Sequence, residues 1–174
     1  MPIPHTIQPE YLEINGKLRL RKYDGIFAFA LPWYQDRETV LLVDGRPDPY
    51  DLARLERMYT YLNEHGELYW IELDSGAGFV PVGDVTFWQE DMPIVIGDKT
   101  LRHRGLGRRV AARLIQRGRE LGYGTLYVQE IYNFNTSSRR CFESLGFLPY
   151  ETTPRGCRYR LALRSTERRN ANHV

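Results

Sequence analysis

RHRGLGRRVAARLIQRGRELGYG, Arg102–Gly124, followed after a short run by NTSSRRCFESLGF, Asn135–Phe147, is the stretch whose reading decides the fold. In the first part Gly107, Val110, Ala111, Leu114, Ile115, Gly118 and Leu121 recur at helical spacing. Arg109, Arg113, Gln116, Arg117 and Glu120 fall on the opposite side, so an amphipathic helix is expected from about Gly105 to Leu121 with those charges facing away from the core. Gly122 and Gly124 end it, and TLYVQEI (Thr125–Ile131), rich in β-branched and aromatic residues, reads as a strand. MPIVIG (Met92–Gly97) is a short strand on the other side of the helix. Strand, helix and strand in roughly 40 residues make a crossover unit, which predicts that the strands around Ile94 and Val128 lie parallel and close.

Working outward, Thr136 to Leu145 is a helix closed by Gly146, and Phe147–Glu151 with Arg158–Leu163 are two strands able to pair through the Pro-Arg-Gly turn. Upstream, LRLRKY (Leu18–Tyr23) alternates apolar and basic residues as a strand with one wet face does. LPWYQDRET (Leu31–Thr39) reads as one short helix with Pro32 in its first turn. Leu52, Leu55, Met58, Tyr59 and Leu62 mark a second helix, with Asp51 near its start and Gly66 past its end. LYWIEL (Leu68–Leu73) and VPVGDVTFW (Val80–Trp88), joined by DSGAG, are an antiparallel pair. The chain is therefore expected to be an α/β (α+β) domain over residues 1–165 with a mixed sheet, and a polar, frayed tail over 166–174.

RHRGLG carries the first chemical signal. A diphosphate needs several N–H donors converging on it and a backbone it can approach closely. A helix N-terminus supplies unpaired N–H groups and the positive end of the helix dipole. Gly105 and Gly107 remove side chains where phosphate oxygens would sit, while Arg102 and Arg104 add positive charge. A dinucleotide-binding fold is disfavoured because no G-x-G-x-x-G follows a strand, and a P-loop is excluded by the missing Gly-Lys-Ser/Thr.

Arg102, Gly105 and Gly107 fit R/Q-x-x-G-x-G/A; Asn135, Ser138, Phe142, Glu143, Gly146 and Phe147 fit N-x-x-A/S-x-x-x-Y/F-E-x-x-G-F. In this order and spacing the chain resembles the GNAT superfamily of N-acetyltransferases. The resemblance implies a largely antiparallel sheet with a splayed, parallel central strand pair and flanking helices. It implies acetyl-CoA as acyl donor, held by Arg102, Arg104, Gly105, Leu106, Gly107, Arg108 and Arg109, with Asn135, Ser138 and Phe142 along the pantetheine arm. Asn135 is also a good helix N-cap and Gly146 a good terminator without any ligand. Many members have Tyr where this chain has Phe142, and that phenol can protonate the departing thiolate. Phe cannot, but a thiol with a reference pKa of ~8.5 leaves with little help. Tyr132, at the end of the preceding strand, is a candidate substitute acid or else a buried or interfacial tyrosine; Cys141 reads as a small apolar residue without a His partner.

Amine attack on a thioester needs a neutral amine, and a carboxylate, often through water, is its natural base. In several members of the family such a carboxylate lies on the strand before the cradle, eleven residues ahead of it. Here that is Asp91, with Glu90 beside it, and on a strand only one of the two can face the cleft; a solvated turn carboxylate ahead of Pro93 is the alternative reading of Asp91. Trp33, Tyr34 and Asp36 stand on the early helix, where this superfamily builds its acceptor wall; aromatic and acidic groups together suit a cationic amine.

Composition agrees with one globular domain: 42% hydrophobic and 26% charged residues in 174. No apolar run approaches the ~18 residues of a membrane span. Cys141 and Cys157 make neither a disulfide framework nor a zinc site, so a cytoplasmic protein without metal is expected. Residues 1–101 carry 9 Lys/Arg and 17 Asp/Glu, net −8; residues 102–174 carry 15 and 5, net +10. One pole suits cofactor phosphates and the other a cationic acceptor. The expected activity is acetyl transfer from acetyl-CoA to a primary amine of a small or peptidic, cationic acceptor in a ternary complex. A GNAT-fold acyl-CoA sensor is the alternative, kept open by Phe142. A basic nucleic-acid-binding domain is more distant, since the arginines are scattered and no reader motif occurs. No membrane or nucleic-acid partner is expected; a homodimer stays open.

Overall fold

The computed structural model describes residues 2–163, so the expected tail over 166–174 lies outside the described residues. Strands β1 (Tyr11–Asn15), β2 (Leu18–Lys22), β3 (Glu67–Asp74), β4 (Phe79–Phe87) and β5 (Ile94–Ile96) form an antiparallel sheet in chain order. Strands β6 (Thr125–Tyr132), β7 (Leu148–Thr152) and β8 (Gly156–Ala162) form a second antiparallel sheet in the order β6-β8-β7. The helices are α1 (Leu31–Gln35), α2 (Arg37–Asp44), α3 (Leu52–His65), α4 (Leu106–Glu120) and α5 (Thr136–Ser144).

Strand alternation gives the larger sheet two buried faces. Tyr69, Ile71, Val85 and Phe87 belong to the core that also takes Val110, Ala111 and Leu114 of α4 and Phe142 of α5. Leu68, Trp70 and Val95 belong to a second core with Tyr34, Val40, Leu55 and Tyr59 of α1–α3. Trp70 pairs with Asp84, and Asp84 with Val95, so the Asp84 carboxylate points into this second core. Leu114 is fully buried, and truncating such a residue to Ala costs about 2–5 kcal/mol.

The two sheets meet along one short seam. The Tyr127 N–H donates to the Gln89 carbonyl at 3.0 Å, and Gln89 Nε2 donates to the Thr125 carbonyl at 3.2 Å. The Gln129 N–H donates to Asp91 Oδ1 at 3.1 Å. These contacts advance in the same direction on both segments, the sense of a parallel pair. Beyond Gln129 the strands belong to different sheets, β5 paired to β4 and β6 to β8. The expected parallel neighbours around Ile94 and Val128 are therefore splayed, with Asp91 at the vertex.

Three local expectations need correction. The helix expected over Leu31–Thr39 is two helices, because Asp36 takes an extended backbone (φ −75°, ψ 119°) and caps α2 with its side chain. Strand β1 forms where no element was expected, pairing with β2 and burying Leu12. Arg117 does not face solvent: it is buried and bonds Glu67 through Nη2 at 2.6 Å and Nε at 3.1 Å. Glu67 also accepts from the Tyr69 hydroxyl at 2.8 Å, so two buried charges neutralise each other beneath α4.

Candidate active site

The N-terminus of α4 lacks the side-chain cap found at α2, α3 and α5. Asp36 caps α2, Asp51 caps α3 and Asn135 caps α5, each accepting a backbone N–H. At α4 the cap is Gly105, which has no side chain to offer, so the first N–H groups of the helix point outward without a side-chain acceptor. Gly105 sits at φ +77°, a left-handed conformation that favours glycine, and His103 ahead of it is also left-handed at +60°. Gly107 has no such need: its φ is ordinary, and a Cβ placed there would meet nothing within 4 Å. Within the protein alone, alanine would suit this helical position better by about 1 kcal/mol. Open space in front of uncapped N–H groups is the geometry a diphosphate requires. Arg104, Arg108 and Arg109 surround it as exposed side chains, with Arg108 Nε donating to Ser144 Oγ of α5 at 3.1 Å, while Leu106 is buried as an anchor of the turn.

Arg102 is turned elsewhere. Its Nε donates to the Ile96 carbonyl at 3.0 Å and its Nη2 to the Thr39 hydroxyl of α2 at 2.6 Å. Two of its three nitrogens are thus engaged by protein acceptors.

Asn135 accepts the Ser138 N–H at 3.1 Å through Oδ1, which leaves its amide nitrogen as the group able to donate to a ligand. Ser138 is half-buried in the first turn of α5. Phe142 is buried edge-on against Phe147, with centroids 5.2 Å apart and planes at 78°. Burial raises the Cys141 thiol pKa above its ordinary value, in keeping with a packing role.

Asp91 lies not on a strand, as expected, but in the turn between β4 and β5, bridged to Trp88. Its Oδ1 accepts the N–H groups of Gln129 and Met92 at 3.1 and 3.0 Å. Burial pushes its carboxyl up to about 6, against the lowering effect of those two hydrogen bonds. It is a carboxylate at the vertex of the splayed strands, ionised at neutral pH and able to take a proton. Glu90 next to it is exposed.

The early-helix residues divide. Trp33 is half-buried and lies against Gly97, where a Cβ would come within 2.1 Å of the indole. Tyr34 is buried and donates its hydroxyl to Asp84 at 2.8 Å, as Tyr59 does from α3. Asp36 accepts the Thr39 N–H and hydroxyl and pairs with Lys99 at 2.6 Å. Partial burial pulls its pKa upward, but Lys99 and the Thr39 hydrogen bonds outweigh it and hold the carboxyl down to about 2. Tyr132, half-buried at the end of β6, stacks on Phe134 with centroids 5.4 Å apart and lies under the Arg155 guanidinium at 4.9 Å. Burial raises its phenol pKa. A Cβ at Gly45, the C-cap of α2, would meet both Tyr132 and Arg155, so the end of β6, the β7–β8 turn and the end of α2 converge on one side of the vertex.

Thr39, Gly97, Asp84 and Arg155 were not anticipated. Each does its work through a partner far away in the chain, and only Gly97, a glycine directly after an apolar strand, carries a local hint of close approach. Among the described residues no three His, Cys, Asp or Glu side chains cluster as a metal site, and no helix is long and apolar enough to cross a membrane.

Known proteins place this geometry. The sequence model of the acetyltransferase (GNAT) family matches residues 30–147. A GNAT-family acetyltransferase from Bacillus anthracis superposes with a TM-score of 0.72 at 15% identity, covering 87% of this chain and 98% of its own. Spermidine N-acetyltransferase from Vibrio cholerae, solved with CoA and spermine, gives 0.65 at 16% over 85% and 96%. An aminoglycoside acetyltransferase solved with coenzyme A gives 0.66 at 16% over 83% and 94%. No curated protein matches the chain. The chain belongs to the GNAT acetyltransferase family and is an acetyl-CoA-dependent N-acyltransferase.

Proposed function

We propose that this protein acetylates a primary amine of a small or peptidic, cationic acceptor by direct transfer from acetyl-CoA in a ternary complex. The observation that carries the donor site is the uncapped N-terminus of α4 beside Gly107, whose missing side chain nothing in the protein requires. In this reading the diphosphate lies on the N–H groups from about Arg104 to Arg109. The same three arginines supply charge, and the pantetheine arm runs past the Asn135 amide, Ser138 and the Phe142 ring into the splay between β5 and β6.

At the vertex Asp91 accepts the proton of the attacking amine, directly or through water. Its pKa of about 6 keeps it ionised at pH 7 yet closer to that of an amine than an exposed carboxylate is. Phe142 donates no proton, so the thiolate leaves unassisted or takes one from Tyr132. The acceptor enters over the surface formed by α1–α2, Tyr132, Phe134 and the β7–β8 turn. Aromatic faces at Trp33, Tyr132 and Phe134 support a cationic amine, and enzymes of this fold act on aminoglycosides and spermidine. We place the protein in the cytoplasm, with no nucleic-acid partner and with dimerisation open.

Incubation with acetyl-CoA and a panel of polyamines, aminoglycosides, basic peptides and amino acids, with release of free thiol as the signal, tests the activity. Release above hydrolysis with a cationic amine is expected. Saturable acetyl-CoA binding with no acceptor in the panel would favour the sensor alternative.

A further inference from the structure

We propose that Arg102 is a positioning residue that clasps the acceptor-side helices to the cradle, rather than a ligand of the cofactor phosphates. The proposal rests on the donor-site reading above. From Arg102 a closed chain of polar contacts runs across the molecule. Its Nη2 donates to Thr39 Oγ1 at 2.6 Å, and that hydroxyl donates to Asp36 Oδ2 at 2.8 Å. Asp36 Oδ1 pairs with Lys99 Nζ at 2.6 Å, and Lys99 is three residues before Arg102 on the same loop. The Nε of Arg102 adds an anchor, donating to the Ile96 carbonyl at the end of β5.

A surface pair would be a weak tie, but this ring has a buried centre. Thr39 is 2% exposed and offers its hydroxyl to nothing but these two partners' geometry, accepting from the guanidinium and donating to the carboxylate. The adjoining contact has the same purpose: Trp33 is seated on Gly97 so closely that any side chain there would displace it. Two independent contacts therefore hold α1–α2 against the segment 96–102, which leads directly into the uncapped helix end. Loop and acceptor wall move as one body, and the distance between the thioester and the wall is set by Arg102. The charge for the phosphates is left to Arg104, Arg108 and Arg109, whose side chains are exposed around the opening.

Four variants of the whole chain test this: Arg102→Met, Thr39→Val, Thr39→Ser and Arg104→Met. Acetyl-CoA affinity is measured by calorimetry, and the seat of α1 by the 19F resonance of 5-fluorotryptophan at position 33, assigned with Trp33→Phe. Arg102→Met and Thr39→Val are expected to shift the Trp33 signal in the same way and to change acetyl-CoA affinity by less than about threefold. Thr39→Ser, which keeps the hydroxyl, should retain the parental signal. Arg104→Met should leave the signal in place and weaken acetyl-CoA by about tenfold or more, the size of a lost charge-assisted hydrogen bond. Tenfold or greater loss of acetyl-CoA binding in Arg102→Met but not in Thr39→Val would return Arg102 to the phosphates and overturn the proposal. An unmoved Trp33 signal in both clasp variants would overturn it too. Should the parental protein not bind acetyl-CoA at all, the donor-site reading fails, while the Trp33 signal still decides the clasp.

Discussion

Gly107→Ala should make the protein more stable and a poorer binder of acetyl-CoA at the same time. Gly107 stands in the first turn of α4 with an ordinary helical φ, and a methyl added there touches nothing within 4 Å. No packing is lost, and the unfolded chain loses backbone freedom, so the folded state should gain roughly 0.4–1 kcal/mol. For a chain of this length that is about 1–4 °C in Tm. The same methyl stands beside the uncapped N–H groups, where a diphosphate oxygen has to come within hydrogen-bonding distance. Losing one charge-assisted hydrogen bond is worth about 1.5–3 kcal/mol, or roughly 10–100-fold in affinity. Gly105→Ala is the contrasting control. Its φ of +77° makes any side chain strained, so it should lose about 1–2 kcal/mol of stability in addition to its effect on binding. Thermal denaturation of the ligand-free proteins and calorimetric titration with acetyl-CoA separate the two effects. A Gly107→Ala protein that binds acetyl-CoA as the parent does would show that the diphosphate does not lie at the start of α4.

Asp91→Asn should abolish most turnover at neutral pH and recover part of it at alkaline pH, where the amine is deprotonated without help; parental turnover at pH 7 would remove Asp91 from the chemistry. Asp84 is buried with its carboxyl pushed up to about 6, above the unfolded value near 4, so the folded state holds the extra proton between those pH values. Stability should therefore be greatest below about pH 4 as far as this group is concerned, and decline by about 2–3 kcal/mol as pH rises through 6; Asp84→Asn should flatten that decline in denaturation curves at pH 4.5 and 7. Asp36 works in the opposite sense: its carboxyl is held down to about 2, so its contribution is present above about pH 4 and disappears as pH falls towards 2. Arg117→Met leaves Glu67 buried without its cation and should cost about 3–5 kcal/mol by urea denaturation; the double variant with Glu67→Gln should recover part of this.

What the sequence revealed was whatever is encoded within one turn or one element. The glycine-rich turn into α4 is six consecutive residues, and the caps Asp51 and Asn135 each bond an N–H three residues on. The helical stripe over Val110–Ile115 and the strands either side of it follow from periodicity alone, and with them the crossover and the order of elements. What stayed hidden depends on partners 50 or more residues apart: Arg117 with Glu67, Tyr34 with Asp84, and Arg102 with Thr39. A charged residue at the margin of an apolar stripe looks the same in sequence whether it meets water or a buried carboxylate. Arg117 therefore reads as a solvated charge, and the tie of Arg102 to Thr39 leaves no trace in the sequence. Asp91 follows from its spacing to the cradle, although it stands in a turn; a count of residues is indifferent to whether the segment is pleated.

The contrast of −8 and +10 between the two halves of the chain says less about the acceptor than about the donor once the charges are placed in space. In the acidic half Glu72 faces Arg19 and Arg21, Asp44 faces Arg54, Asp36 and Glu38 face Lys99, and Glu67 faces Arg117. Asp84 is enclosed by two tyrosines. Asp36, Glu38 and Asp44 belong to the proposed acceptor wall, and matched in this way they project little field there, so a cationic acceptor is expected to be recognised by contact with the wall rather than drawn in from a distance. Around the start of α4 the situation is reversed. Among the described residues no carboxylate lies within 4.0 Å of Arg104, Arg108 or Arg109, and their charges add to the dipole of a 15-residue helix. Salt screens such exposed charges over about 8 Å at physiological ionic strength. Raising the salt concentration should therefore weaken acetyl-CoA binding steeply and the KM of a cationic acceptor only slightly. A steep salt dependence in the acceptor KM with a flat one for acetyl-CoA would mean that the field of the acidic half survives its internal pairing and that the arginines at α4 do not meet the phosphates.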